Sequence, residues 1–229
     1  MRWQRVATMS RAFSNDGFTR TPGPRPPLSL DDAQHLVSEA KANTVVLVEG
    51  WSDQAAVETL ARRVGLDLAA MAVVVLPIGG ATNAHPFAVR FGIQGLRLRL
   101  AGLYDLPEQR HILRALSAGT VTSASSQTEA NSLGFYACSE DLEDELIRAL
   151  GPEAVEQVIA AEDEIGALRR FQAQPAQLGR PVAAQLRRFI GTREGRKIRY
   201  GALLATALDL GNIPAPLSQL LARLASSLT

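Results

Sequence analysis

Short apolar runs alternate with helically spaced apolar positions through the first part of the chain. Val45–Val48 predicts a buried strand, and Gln54–Val64 predicts the helix that follows it. The alternation continues further along, where the pattern predicts strands at Ala72–Leu76, Leu96–Tyr104 and Gly134–Ala137, and helices at Thr82–Phe91 and Glu108–Leu116. Strands separated by helices of this length imply a parallel sheet with helices on both faces, that is, a Rossmann-like α/β fold.

The pattern changes on either side of this region. Residues 141–229 show helical periodicity throughout, punctuated by glycine and proline, which predicts a helical C-terminal region. Residues 29–140 are expected to form the α/β domain, with a leading helix at Ser29–Ala42 and a polar loop at Ser117–Ser132. Residues 1–28 have little to bury and include the run TPGPRPP, so we expect a disordered or loosely docked extension.

Composition narrows the class of protein. The chain has 229 residues, of which 46% are hydrophobic and 21% charged, as in an ordinary globular protein. The sequence contains no apolar run of the roughly 20 residues that a membrane span needs. The single cysteine, Cys138, cannot form an internal disulfide, so we expect a cytoplasmic protein.

Charge is distributed unevenly in the helical region. Residues 139–164 hold ten acidic residues against one arginine, and residues 165–200 hold nine basic residues against one glutamate. One explanation is a cation site beside a surface that binds a polyanion. The other is that two solvated faces pair with each other, and composition alone does not choose between them.

Three predicted strands end at residues that could hold a metal ion and a phosphate. Glu49 follows the first strand with Asp53 four residues later, Gly79-Gly80 follow the second, and Asp105 follows the third. If the strands are neighbours, these carboxylates converge at the carboxyl edge of the sheet, where hard oxygen ligands suit Mg²⁺ or Mn²⁺. The diglycine would let the backbone approach a phosphate closely. Singly, each residue also fits a strand end, a helix start or a turn, so the prediction rests on their combination.

The motifs VVLVEGWSDQAAVETLARRVGLDL, VVVLPIGGATN and GLYDLPE resemble a Toprim domain, and the resemblance is strongest to the overcoming-lysogenization-defect (OLD) class of Toprim nucleases. The resemblance implies that Glu49, Asp53, Asp105 and Glu143 are metal ligands. It also implies that a basic residue of the helical tail completes the site, and Lys197 is the candidate. The catalytic pair expected on this basis is Glu49 and Lys197.

The sequence departs from that family in two places. The second aspartate of the D-x-D after the third strand is replaced by Pro107, which leaves Glu108 and Asp141 as additional candidate ligands. Proteins of this class also carry an ATPase domain ahead of the Toprim domain, whereas residues 1–42 resemble none and no phosphate-binding G-x-x-x-x-G-K-[ST] loop occurs. Any ATP dependence is therefore expected to need a separate ATPase subunit.

The activity implied by the resemblance is hydrolysis of DNA phosphodiesters with Mg²⁺ or Mn²⁺. Two alternatives stay open: a weakened Toprim module that binds nucleic acid or a partner ATPase without cutting, and a nucleotidyl transferase. A homodimer is compatible with either. The basic residues expected to hold the DNA backbone are Arg187, Arg188, Arg193, Arg196 and Arg199.

Overall fold

A four-stranded parallel sheet forms the centre of the computed structural model, which describes residues 25–226. The strands are β1 (Thr44–Val48), β2 (Val73–Pro77), β3 (Arg99–Asp105) and β4 (Phe135–Cys138), in the spatial order β2-β1-β3-β4. All three pairings are parallel. The predicted α/β class with a parallel sheet and a helical C-terminal region is confirmed.

Helices connect the strands and then continue to the end of the described chain. Those of the α/β part are α1 (Leu30–Glu39), α2 (Trp51–Arg63), α3 (Ala84–Phe91), α4 (Gln109–Gly119) and α5 (Gln127–Ser132). Those that follow the sheet are α6 (Leu142–Leu150), α7 (Pro152–Ala161), α8 (Ile165–Gln172), α9 (Val182–Gly191), α10 (Glu194–Ala207) and α11 (Ala215–Ala225). None of the helices in residues 25–226 combines the length and the hydropathy needed to cross a membrane.

The apolar side chains of β1 are buried on both faces of the sheet, because alternate residues of a strand point to opposite sides. Val45 and Leu47 pack into a cluster that includes residues of α1, α3 and α4. Val46 and Val48 pack into a second cluster that includes residues of α2 and of the C-terminal helices up to Leu224. The C-terminal helices therefore cover one face of the sheet and share its core.

Helices α2 and α10 lie against each other at close range where Gly201 meets Ser52. A β-carbon on Gly201 would come within 2.4 Å of the Ser52 carbonyl oxygen and 3.2 Å of its Cα. Glycine is therefore required here by space, since a larger residue would force the two helices apart. This contact matters for the site, because α2 begins at Trp51, two residues after Glu49.

Two elements differ from the prediction. The polar loop expected at residues 117–132 contains helix α5, whose N-cap Ser126 accepts a hydrogen bond from the backbone N–H of Glu129. The helical periodicity of the C-terminal region continues across Asp163, but the structure ends α7 before it and begins α8 after it, with Asp163 itself at φ 57°. Of the predicted extension, residues 1–24 lie outside the described residues, while Arg25 to Leu28 are described.

We predict that Gly201→Ala destabilises the protein, because the added methyl group collides with the backbone of α2. Overpacking of this kind costs about 1–3 kcal/mol, and it outweighs the gain in helix propensity. The matched control is Gly166→Ala in α8, where the nearest heavy atom to the new β-carbon would be the Arg170 guanidinium at 3.6 Å. Thermal unfolding followed by circular dichroism should show a lower Tm for Gly201→Ala only. Equal Tm values for the two variants would contradict the close approach.

Candidate metal centre

Glu49 and Asp105 share the carboxyl edge of the sheet because β1 and β3 are direct neighbours. The register pairs Leu47 with Gly102, so the chain positions that follow lie side by side. The backbone N–H of Asp105 donates to Oε1 of Glu49 over 3.4 Å. The expected convergence of these two strand ends is therefore present.

Asp53 joins the same edge through the turn at Gly50. Gly50 has an extended conformation (φ −142°, ψ 177°) and is the N-cap of α2. Its backbone N–H donates to Oδ2 of Asp53 over 2.7 Å, which turns this carboxylate back toward the end of β1. Asp53 therefore caps its own helix and also lies beside Glu49.

Glu143 and Lys197 reach the edge from the C-terminal helices. Glu143 lies in the first turn of α6, directly after β4, and its side chain is only 4% exposed. The Lys197 Nζ atom, from α10, is 3.2 Å from Oε2 of Glu143. Their separation is that of an ion pair, although Oε2 lacks a hydrogen bond of good geometry. A buried carboxylate thus has a cation as its nearest partner.

The pKa values of the acidic residues record how closely they are packed. Burial raises the pKa of Asp105 to about 8, and the charges of Glu49 and Asp53 add to the effect. Burial and then the charge of Glu143 raise the pKa of Asp53 to about 7. Burial also raises the pKa of Glu49, with a contribution from Glu108. Such repulsion is relieved by protons or by a cation among the carboxylates.

The acidic residues of this edge also shift the pKa of Lys197, and they favour its charged form. Burial lowers the pKa of Lys197, but the charges of Glu143 and Asp53 outweigh burial and raise it above its usual value. The lysine therefore stays charged beside the acidic cluster. The Lys197 ammonium group thus partly offsets the negative charge of Glu143 and Asp53.

The donor chemistry of the cluster fits a hard divalent cation, since its ligands would be carboxylate oxygens. Within residues 25–226, however, no three acidic, histidine or cysteine side chains are placed so that they could hold a metal ion as they stand. The backbone nevertheless brings Glu49, Asp53 and Asp105 to one edge of the sheet. The residues at this edge are carboxylates, the ligand type that Mg²⁺ and Mn²⁺ prefer, and the strand ends place them near one another.

The two additional candidate ligands have other partners. Asp141 is the N-cap of α6: its Oδ1 accepts from the backbone N–H of Asp144, and its Oδ2 lies 2.6 Å from Nη2 of Arg187. Glu108 lies 3.5 Å from Nε2 of His111. Asp141 therefore fixes the start of the helix that carries Glu143, a positioning role that its place in the sequence does not reveal.

The Gly79-Gly80 turn, which follows β2, holds the end of β1 in place. Both glycines have positive φ, 74° and 107°, a region that other residues rarely adopt. Their N–H groups donate to the carbonyl oxygen of Glu49 over 3.0 and 3.1 Å. These two donors therefore hold the end of β1, and the close approach of a phosphate to this turn stays a prediction.

The predicted DNA-binding arginines separate into two groups. Three of them are engaged within the fold: Arg187 pairs with Asp141, Arg196 with Glu164, and Arg199 with both Glu162 and Glu164. Arg196 is also only 6% exposed, so it is not available to a nucleic acid. The acidic and basic segments thus pair with each other to a large extent, as the second explanation of the charge pattern proposed.

The other two predicted arginines, Arg188 and Arg193, are exposed. Arg193 lies one helical turn before Lys197, whose backbone N–H donates to its carbonyl oxygen over 3.0 Å. Arg193 therefore stands at the rim of the acidic edge. Arg188 and Arg193 are therefore the two of the five predicted DNA-binding arginines that are exposed, and their contact with DNA stays a prediction.

Cys138 is a neighbour of the site that the sequence did not indicate. It ends β4 opposite Asp105 in the strand register and is buried. Burial, followed by the charges of Asp53 and Asp105, raises the pKa of the thiol. The thiol is therefore kept neutral, and it belongs to the apolar core beneath this edge of the sheet.

Part of the sequence matches a known protein family. The family model described as "Overcoming lysogenization defect protein-like, TOPRIM domain" matches residues 42–106. That range includes Glu49, Asp53 and Asp105. None of the curated proteins is similar enough in sequence to count as a match.

Solved structures resemble a much larger part of the chain. The C-terminal region of the Burkholderia pseudomallei OLD protein has a TM-score of 0.65 at 20% identity, covering 82% of this chain and 99% of that one. The C-terminal region of the Xanthomonas campestris pv. campestris OLD protein, phased with iodine, has a TM-score of 0.63 at 22% identity, covering 81% and 95%. The chain therefore contains an OLD-like Toprim domain at residues 42–106 and has the fold of the C-terminal region of OLD proteins.

Proposed function

We propose that the protein is a DNA endonuclease that depends on Mg²⁺ or Mn²⁺. The observation that carries the proposal is the convergence of Glu49, Asp53, Asp105 and Glu143, with Lys197, at one edge of the sheet. Burial at that edge, with repulsion from Glu49 and Asp53 adding to it, raises the pKa of Asp105 to about 8. A site of this kind is costly unless a cation offsets the charge, which supports a metal-binding function.

Each residue has a role that follows from its place. Glu49, Asp53, Asp105 and Glu143 would hold the metal, which when bound would polarise the scissile phosphate and lower the pKa of a water molecule. Lys197 is half-exposed beside the buried Glu143, so its ammonium group can reach a phosphate oxygen and stabilise the charge that develops on it. Gly79 and Gly80 keep Glu49 in position through their N–H groups.

DNA would approach over the rim that carries Lys197. Exposed Arg193, one helical turn before Lys197, would supply a sequence-independent contact to the DNA backbone, and exposed Arg188 on α9 is a second candidate. Arg187, Arg196 and Arg199 contribute indirectly, because their ion pairs hold the helices together. The DNA surface proposed here is therefore smaller than the run of basic residues in the sequence.

A second candidate function is a Toprim module that binds DNA or a partner ATPase without cutting. Pro107 stands where the Toprim pattern has its second aspartate, and the nearby Glu108 faces His111. Fewer ligands would weaken the binding of a second metal ion. The cleavage experiment described next separates this candidate from the nuclease.

We predict that the purified protein cleaves plasmid DNA with Mg²⁺ or Mn²⁺ and that Glu49→Gln lowers the rate by about 100-fold or more, because a ligand of the metal is lost. Lys197→Met should lower the rate by about 10²–10³-fold, because the positive charge near the phosphate is removed. The measurement is the initial rate of plasmid nicking. Arg170→Ala, an exposed charge on α8, is the control and should keep the wild-type rate.

The outcomes discriminate between the candidates. Binding of DNA and metal without cleavage by the wild-type protein would contradict the nuclease and favour the binding module. Equal cleavage by the wild type and by Glu49→Gln would show that the activity does not come from this site. EDTA should abolish all nicking that does belong to it.

We also predict that metal-free protein loses stability as the pH rises from about 5.5 to about 8.5. The folded-state pKa values of Asp53 and Asp105 are raised to about 7 and about 8, so the folded state holds protons that the unfolded state has released. Stability from a raised carboxyl pKa is present at low pH and is lost as the pH passes the folded pKa. Glu58, with a pKa of about 7 because of burial, contributes in the same direction.

Thermal unfolding at several pH values tests this linkage. Asp105→Asn should flatten the dependence, and Mg²⁺ at about ten times its Kd should raise the Tm of the wild type by about 3–5 °C at pH 8 but less at pH 6. Glu153→Gln, which removes an exposed carboxylate on α7, serves as the control. A Tm that rises with pH over this window, or one that Mg²⁺ leaves unchanged at pH 8, would contradict the proposed centre.

A further inference from the structure

The segment Arg25–Leu28, here called the proline segment, runs in an extended conformation alongside the carboxyl edge of the sheet. Pro26 and Pro27 fix their own φ angles, and each restricts the residue before it to extended or polyproline II geometry. Ser29, which follows, has φ −70° and ψ 155°, values typical of polyproline II. The sequence itself therefore dictates the shape of the segment before any contact is made.

Trp51 contacts the proline segment in two ways. Its indole Nε1–H donates to the carbonyl oxygen of Pro26 over 3.3 Å. Its ring also faces the guanidinium group of Arg25, with 5.3 Å between the guanidinium carbon and the ring centre. A ring face with a cation at this distance is attractive, and the indole donor satisfies a carbonyl that a proline-rich backbone leaves unpaired.

Glu58 and Gly79 border the same segment. Glu58 lies seven residues after Trp51 in α2, two helical turns further on the same face, and its charge acts on Arg25. Pro27 lies over Gly79, where an added β-carbon would come within 3.2 Å of the Pro27 Cβ atom. The charge of Glu58 thus acts on Arg25, and the glycine at position 79 leaves room for the ring of Pro27.

We propose that Trp51, Glu58 and Gly79 form a recognition groove for an arginine-containing polyproline II segment, and that Arg25–Pro27 occupy this groove in cis. The three elements are those by which such segments are recognised: an aromatic ring with a donor for a carbonyl, an acidic partner for the arginine, and a flat surface for a proline ring. The inference goes beyond DNA hydrolysis and does not depend on it.

The groove is built from the same elements as the acidic edge. Gly79 donates its N–H to the carbonyl oxygen of Glu49, and Trp51 begins the helix that carries Asp53. Occupancy of the groove therefore supports the turn after β1 from its outer side. A proline-rich partner that displaced the segment would act directly beside the candidate metal centre.

The test uses tryptophan fluorescence in full-length protein. The sequence has two tryptophans, so a Trp3→Phe background leaves Trp51 as the only tryptophan, and excitation at a wavelength that tyrosine does not absorb reports on it alone. In that background, replacing Arg25 by alanine and both Pro26 and Pro27 by glycine should raise the Stern–Volmer constant for acrylamide by about twofold or more, because the indole loses its cover. Circular dichroism checks that the fold is kept, since the changed residues precede α1. An unchanged constant would overturn the cis contact.

The second part of the test supplies the segment in trans. A peptide with the sequence TPGPRPPLSL, added to the three-residue variant, should restore the wild-type quenching constant, whereas TPGPAGGLSL should not. Glu58→Gln should weaken binding of the native peptide by about twofold to fivefold, because it removes the carboxylate whose charge acts on Arg25. Failure of the native peptide to protect Trp51, or equal protection by the two peptides, would overturn specific recognition. Neither result depends on DNA cleavage, so the two proposals can fail separately.

Discussion

The burial of several carboxyl groups together at one edge of a parallel sheet is the constraint on which this site depends. β1 and β3 lie side by side, so the chain cannot avoid bringing Glu49 and Asp105 together. Asp53 is turned back toward them by its hydrogen bond to Gly50. Burial raises the pKa of each carboxyl group, and the fold tolerates the arrangement because protons, Lys197 or a bound cation can offset the charge.

The C-terminal helices supply both the counter-charge and the frame. Lys197 comes from α10, which is held against α2 by the close approach of Gly201 to Ser52. Arg196 and Arg199 connect α10 to Glu164, and Arg187 fixes the start of α6 through Asp141. Several of the basic residues between positions 165 and 200 therefore form ion pairs that hold these helices together, and a smaller number are exposed.

The features that were predictable from the sequence are those that local pattern determines. Apolar runs located the four strands, and the residues that follow β1 and β3 marked the acidic edge, because parallel strands present their carboxyl ends together. The break at Asp163 was not predictable from helical periodicity, which continues across it. Helix α5 was missed because its composition is typical of a loop, although Ser126 three residues before Glu129 is a capping signal.

Long-range pairing limited the prediction of the site. The roles of Arg187 and Arg196 depend on Asp141 and Glu164, 46 and 32 residues away, and nothing in the local sequence indicates these partners. The Gly79-Gly80 turn was identified as special, but only the structure shows that its N–H groups are directed at Glu49. The contacts of Trp51 with Arg25 and Pro26 also join residues that are far apart in the sequence, so local pattern does not predict them.

The most direct test of the central claim is isothermal titration of the protein with Mn²⁺ at pH 7 in two buffers of different ionisation enthalpy. Because the pKa values of Asp53 and Asp105 are raised to about 7 and about 8, a metal ion that binds among these carboxylates must displace protons. The account predicts release of about one proton per bound ion, and a marked loss of affinity in Asp105→Asn. Binding without proton release, or binding that Asp105→Asn leaves unchanged, would contradict it.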